Sequence, residues 1–299
     1  MAGNVFDKSR IKDLDEVVVS ALELFSKERP PKLELPDFKR PLIVGSVNAA
    51  VAGRILFQGK DAVFSEVSSY KQALDSNPGI DGAILVSASG AKSAPEIAKE
   101  LRKRKIPTVL LTCNPEAPAK KLVSQTCVFP KQTEPYSYNV STYLGMILAK
   151  TQEDPRKILE HIKRIKIPRN LGDYDAFFLI VPEKFTLIRE MLTTKFDELF
   201  GPYVSGRAFT FEQAKHAKSV IESDRELFIS FGEKNKLFGA KRLDIPLPKK
   251  ADYGAVFAVG YYAIGQIQKQ HPPYFREGIE AYCKKASKIF GERIEPVVG

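Results

Sequence analysis

Between an apolar run ending at Val86 and the proline at Pro95 lies the segment Ser87-Ala88-Ser89-Gly90-Ala91-Lys92-Ser93. Its three hydroxyls can donate to the oxygens of a phosphate ester, Gly90 lets the backbone come close, and Lys92 adds a positive charge. With the apolar run as a buried strand and Pro95-Glu96 opening a helix, the loop sits where free backbone N–H groups and the helix dipole favour an anion. A cap and a turn alone need one hydroxyl. Three hydroxyls and a lysine point to a phosphate cradle built from Ser87, Ser89, Gly90, Lys92 and Ser93. The loop is neither a Walker loop nor a dinucleotide fingerprint, because G-x-x-x-x-G-K-[ST] and G-x-G-x-x-G are both absent.

The remaining chemistry is sparse. Cys113, Cys127 and Cys283 are widely spaced with no C-x-x-C, which argues against a disulfide framework and against a thiolate zinc site. With only His161, His216 and His271 besides, no metal and no organic cofactor is expected. The 46 Lys+Arg exceed the 36 Asp+Glu, giving a net charge of +10 that favours a phosphorylated or polyanionic partner. The densest basic run, Arg102-Lys103-Arg104-Lys105, contains no aromatic residue on which a base could stack, and it reads as a solvated helix end. A nucleic-acid role rests on charge alone and ranks last.

These residues need elements to hold them. The 299 residues are 43% hydrophobic and 27% charged, enough for one large core or two modest ones. Ordinary Gly and Pro usage excludes disorder and collagen-like repeats, and no apolar run approaches the ~20 residues that span a bilayer. The first residues, Met-Ala-Gly-Asn-Val-Phe-Asp-Lys, lack a secretory layout, so the expected compartment is the cytoplasm. Residues 13–27 carry a helical stripe that stops at Pro30-Pro31. Strand and helix then alternate: Leu42-Ile43-Val44, a small-residue helix 49–57, Ala83–Val86, a helix 94–104, Thr108–Thr112 and Thr126–Phe129. Short continuous apolar strands between amphipathic helices predict a parallel sheet covered on both faces. After a polar stretch with a basic helix 155–168, the alternation resumes with strands at 177–181 and 227–231 and helices at 185–200, 252–268 and 273–290. The expected organisation is an N-terminal helical arm (1–38), a first α/β domain (39–150), a helical connector (151–172) and a second α/β domain with C-terminal helices (173–299).

At this level the chain resembles the SIS (sugar isomerase) family. The cradle is similar to that family's S-x-S-G-x-[ST] segment, with Lys92 where Ser or Thr is usual and Ser93 displaced by one. Gly45-Ser46-Val47-Asn48 stands where the family has its Gly/Ser-rich turn, although Ala49 and Ala50 thin its polar residues. Leu111-Thr112-Cys113-Asn114 resembles the strand ending in T-x-N, and residues 130–142 resemble the segment that runs to Ser-Thr ahead of a helix. The resemblance is good over 39–150 and continues in layout over 173–270. It implies two SIS-like lobes, each a parallel sheet flanked by helices, in a double-SIS protein of the phosphoglucose/phosphomannose isomerase or glucosamine-6-phosphate synthase isomerase type. Phosphosugar binding through Gly45, Ser46, Asn48, the cradle and Glu134 follows from it, as does a homodimer.

Aldose–ketose isomerisation needs a carboxylate to carry a proton between C1 and C2 and an acid/base group to open the ring. The resemblance places these at a Glu near a helix end and a His in an E-x-K-H-like segment, and this chain offers Glu198 and His216. On the 185–200 helix Phe185, Ile188, Leu192, Phe196 and Leu199 form the core stripe, while Glu198 lies on the flank with Leu187 and Met191, a border where partial burial raises a carboxyl pKa. Lys215 and Lys218 beside His216 favour its neutral form and attract an anion. His161 and His271 read as surface positions, and the family's C-terminal lysine has no counterpart in Gly291–Gly299. The leading reading is a phosphosugar isomerase with Glu198 as base and His216 for ring opening. A sugar-phosphate-binding or regulatory protein without turnover is the alternative.

Overall fold

In the computed structural model, which describes residues 7–299, the continuous apolar runs are strands with both faces covered. In chain order the first elements are α1 (Leu14–Lys27), β1 (Pro41–Gly45), α2 (Asn48–Leu56), β2 (Val63–Glu66), α3 (Tyr70–Ser76), β3 (Gly82–Val86), α4 (Ala94–Lys103), β4 (Thr108–Thr112) and β5 (Gln125–Val128). Then come β6 (Glu134–Pro135), α5 (Val140–Thr151), α6 (Pro155–Ile162), β7 (Ala176–Val181), α7 (Ile188–Phe200), β8 (Ser205–Thr210) and α8 (Phe211–Ala214). The chain finishes with β9 (Glu226–Phe231), β10 (Arg242–Ile245), α9 (Tyr253–Lys269), α10 (Tyr274–Phe290) and β11 (Val297–Val298).

The chain forms two compact units that are not successive segments: residues 27–131 and 141–152 gather in one, and residues 7–26, 132–140 and 153–299 in the other. Residues 1–6, the start of the expected N-terminal arm, lie outside the described residues.

The first unit holds a five-stranded sheet of order β2-β1-β3-β4-β5, parallel throughout. Leu42 sits opposite both Val63 and Ala83, which sets a register with every β1 side chain covered. Helix α2 packs on β1 and β3, α3 on β2, and α4 on β4. The core on one face joins Leu42, Val44, Leu85, Leu110, Ala98 and Leu101. On α2 a Cβ at Gly53 would lie 2.7 Å from Cγ2 of Ile43, so the small residues let the helix approach the sheet. The order reverses between β1 and β3, and in open parallel sheets that switch point, at the carboxyl ends of the strands, is where ligands bind.

The second unit holds a four-stranded parallel sheet of order β10-β9-β7-β8. Phe178 of β7 stacks on Phe228 of β9 with ring centroids 4.5 Å apart, a pair whose truncation costs about 3–5 kcal/mol. Helix α7 packs on β8 and α9. Asp15 of α1 approaches α9 so closely that a Cβ at Gly265 would lie 2.1 Å from its backbone nitrogen, and the Leu14 N–H donates to the Gln268 side chain at 2.9 Å. The carboxylate of Glu153 accepts from the amides of Asp252, Gly254 and Ala255 at the start of α9, a distant cap for otherwise orphaned N–H groups. Strand β11 pairs antiparallel with β6, Val297 opposite Pro135 and Val298 opposite Glu134.

Several elements differ from the sequence expectations. The expected helix 155–168 stops at Ile162, and the helix expected from Phe185 begins at Ile188 behind a 3-10 turn at Glu183–Phe185. The strands β2 and β10, with burial on only part of each, have no continuous apolar run to announce them. His161 and His271 are half-buried rather than at the surface: His161 Nε2 lies 2.8 Å from the Pro246 carbonyl, and the two ring nitrogens of His271 face the Ile267 and Tyr174 carbonyls.

Candidate functional site

Strand β3 ends at Val86 and α4 begins at Ala94, so Ser87–Ser93 is the bend at the carboxyl edge of the five-stranded sheet. The Gly90 N–H donates to Ser87 Oγ at 3.1 Å, and the Ala91 N–H donates to Ser89 Oγ at 3.3 Å. Each hydroxyl therefore keeps its own proton to give to an acceptor outside the loop. Ser93 occupies the N-cap of α4 without bonding the helix through its side chain. Capping is thus not what the third hydroxyl does.

The loop is braced from behind. The Ala88 carbonyl accepts from the Cys113 N–H at 2.9 Å and from the Thr112 hydroxyl at 3.0 Å, while the Asn114 amide group donates to the Ser89 carbonyl at 3.0 Å. The Ala119 N–H donates to the Gly90 carbonyl at 3.1 Å. Gly90 itself has φ +60°, and a Cβ there would stand 2.5 Å from that of Ala117. Only glycine meets both demands. Lys92 shares the left-handed region with φ +53° and is exposed.

The turn after β1, the neighbour of β3, carries the other expected residues. A Cβ at Gly45 would stand 2.6 Å from the Ala49 carbonyl carbon and the Ala50 nitrogen, so α2 can start this close only behind a glycine. Ser46 is exposed, and Val47 is held at φ +48°, an unfavourable conformation for a β-branched residue. Asn48 is buried, and its side-chain oxygen has no hydrogen-bond partner, leaving an acceptor unmatched at the start of α2.

In the other unit, Glu198 lies one turn beyond Lys195 on α7 and the two side chains form an ion pair. Lys195 is wholly buried, its ammonium also donating to the Ser137 carbonyl at 2.9 Å and standing 5.5 Å from the centre of the Tyr261 ring. Burial pushes the Glu198 carboxyl above its ordinary range, an effect that the Lys195 charge opposes. Burial likewise pushes Tyr136 up to about 12, with Tyr282, Cys283, Glu292 and Glu198 among the groups around it. Ser137, with φ +77°, and Asn139, with φ +49°, bend this segment so that the Ser137 carbonyl reaches the lysine. Tyr138 between them is anchored by Gln268 and by the Lys12 carbonyl.

Glu134 is buried, with its carboxylate accepting from the Val140 N–H at 3.0 Å at the start of α5. His216 follows the four-residue α8 and is 76% exposed, with Nε2 3.8 Å from Glu212, whose carboxylate also binds Lys215. Glu198 thus pairs with Lys195 and His216 with Glu212. Lys195 and Tyr136 have no role in the sequence reading, and Thr112 and Asn114 enter it only as the T-x-N resemblance, without their bracing of the loop. For Lys195 the available signal was its place three residues before Glu198 on a helix. Among the described residues no group of three or more His, Cys, Asp or Glu is placed to hold a metal ion, and no helix is long and apolar enough to cross a membrane.

No protein-family model matches the chain, and no curated protein sequence matches it. Solved structures do. Glucosamine-6-phosphate deaminase from Thermotoga maritima superposes with a TM-score of 0.62 at 17% identity, covering 87% of this chain and 95% of its own. The C-terminal domain of glucosamine-fructose-6-phosphate aminotransferase from Francisella tularensis gives 0.58 at 12% identity over 88% of this chain and 97% of that one. Tagatose-6-phosphate ketose/aldose isomerase from Escherichia coli gives 0.57 at 11% identity over 87% and 89%. At such identities the likeness is one of fold: parallel sheets of five and four strands flanked by helices, the SIS-type arrangement that the sequence resemblance implied.

Proposed function

We propose that this protein binds a sugar phosphate and interconverts its aldose and ketose forms, the phosphate ester resting in the Ser87–Ser93 cradle. The observation that carries the reading is the pairing of Ser87 and Ser89 with the amides of Gly90 and Ala91, which presets two hydroxyl donors at the start of a helix. The unmatched acceptor on Asn48, at the start of the helix that follows the neighbouring strand, suits a sugar hydroxyl. The fold shared with proteins named for hexose phosphate chemistry supports the same reading. Glu198 is the proposed base: a carboxyl held above its usual range by burial is matched to taking a proton from carbon and returning it to the adjacent carbon. Lys195 fixes its position, Glu134 holds the 134–140 segment, and His216 is the group proposed for ring opening. A homodimer belongs to the same proposal.

The Lys195–Glu198 pair also favours a second reading, a sugar-phosphate-binding protein without turnover, because a carboxylate engaged by an ammonium is a weaker base. Fructose 6-phosphate and glucose 6-phosphate, tested for thermal stabilisation and for exchange with deuterated solvent of the proton on C1 of the ketose and C2 of the aldose, separate the two. Stabilisation with exchange, the exchange disappearing in Glu198→Gln while stabilisation persists, establishes the isomerase. Stabilisation without exchange establishes the binding protein, and absence of both removes the cradle from either role.

A further inference from the structure

At the opposite edge of the five-stranded sheet from the cradle, Arg102 and Lys105 at the carboxyl end of α4 and Lys121 on the 118–122 turn converge on a groove of about 430 Å³. Arg102 in the last turn of α4 and Lys105 just beyond it both line the groove, whereas Arg104 turns away to Asp75 and Glu100. Among the described residues no carboxylate pairs with Arg102, Lys105 or Lys121. A helix dipole accounts for cations at the end of α4 but not for Lys121, which comes from a different element. Lys105 has φ +59° and closes α4 with the Ile106 N–H bonded to the Leu101 carbonyl, a position that favours glycine. A lysine there keeps a charge at the groove against a backbone preference. Ser124, also on the rim, accepts from the Thr108 N–H at 3.2 Å and so has its own O–H to donate.

We infer that this groove is a second anion site, one that takes a compact, multiply phosphorylated small molecule through a diphosphate group. Three unpaired cations with one hydroxyl donor match two adjacent phosphates, and the volume falls within the ~300–1,000 Å³ of small-molecule sites. No aromatic side chain lines it, so the charged group rather than a stacked base provides the recognition. The inference does not rest on the sugar-phosphate reading, since none of its residues belongs to the cradle.

Titration calorimetry with inorganic pyrophosphate at about 0.15 M salt tests it. The unaltered protein is expected to bind, and the combined Arg102→Gln, Lys105→Gln and Lys121→Gln variant to bind at least about tenfold more weakly. Ser89→Ala with Lys92→Ala should leave this affinity unchanged. Ser124→Ala, which retains every charge, gives a smaller loss and serves if the triple variant does not fold. Absence of pyrophosphate binding, binding indifferent to the groove variants, or binding lost in the cradle variant overturns the proposal. Binding of a single-stranded RNA of about 20 nucleotides that the groove variants abolish, with no binding of pyrophosphate, overturns it in favour of a nucleic-acid surface.

Discussion

Lys195 and Glu198 are joined across one turn of α7, the ammonium sealed from solvent and the carboxylate side chain 27% exposed. The asymmetry decides what each substitution does. Lys195→Met removes the charge beside a carboxyl that still reaches water and can take up a proton, and should cost about 1–2 kcal/mol. Glu198→Gln replaces a carboxyl whose charged form burial already disfavours, so its cost at neutral pH should be smaller, under about 1 kcal/mol. Urea unfolding of the two variants checks the order.

The pH dependence has a definite sign. Burial raises the folded-state pKa of Glu198 above its ordinary 4.5, so its protonated form favours the folded protein. That contribution is complete below the ordinary value and is lost as pH rises through the raised one. The stability of the unaltered protein relative to Glu198→Gln should therefore decline from about pH 4 toward neutrality. Melting curves of the two proteins across that window measure it, and a difference rising with pH would contradict a burial-raised carboxyl.

At Gly90 the backbone and the packing both forbid a side chain. Gly90→Ala meets the 2.5 Å approach to Ala117 and an unfavourable positive φ, and should destabilise by about 2–4 kcal/mol. Sugar phosphate binding should fall with it. Calorimetric melting with and without glucose 6-phosphate reads both effects.

For Ser87→Ala and Ser89→Ala the stability loss is smaller and the larger effect falls on binding. Each removes one internal hydrogen bond, worth about 1 kcal/mol in stability, and one outward donor, worth about tenfold in phosphate ester affinity. Isothermal titration of each single variant tests this. Unchanged affinity in both would show that the ester does not use these hydroxyls.

Removing residues 296–299 deletes β11 and the Pro296 carbonyl to which the Tyr136 N–H donates at 2.8 Å. The 134–138 segment should then open more often, and with it the Ser137 carbonyl that holds Lys195. Hydrogen exchange of the Tyr136 amide is expected to accelerate by about tenfold or more.

The inner strands were legible because a strand covered on both faces is apolar at every position, as at Leu42–Val44, Ala83–Val86 and Leu227–Phe231. Strands β2 and β10 were not, since each lies at a sheet edge and mixes polar with apolar residues. The cradle could be read because its donors are consecutive in sequence. The burial of Lys195 could not: the Ser137 carbonyl and the Tyr261 ring that enclose it lie 58 residues before it and on α9, and nothing near residue 195 announces them. Likewise the exposure of His216 follows from a helix that ends after four residues, which its flanking lysines do not reveal.

The clasp between α1 and α9 has a consequence for biosynthesis. The Leu14 amide and its Gln268 acceptor are separated by 254 residues, so at ~5–20 residues per second the ribosome needs roughly 13–50 s to deliver the partner after the helix emerges. Until then α1 lacks that anchor, although Gln132, Tyr138 and Arg156, which donate to the Val17, Lys12 and Ser26 carbonyls, are made about halfway through the interval. The helix is thus only partly tied down while the five-stranded sheet is already complete, and chaperones that shield such segments should raise the yield more than they would where a helix packs on its immediate neighbours.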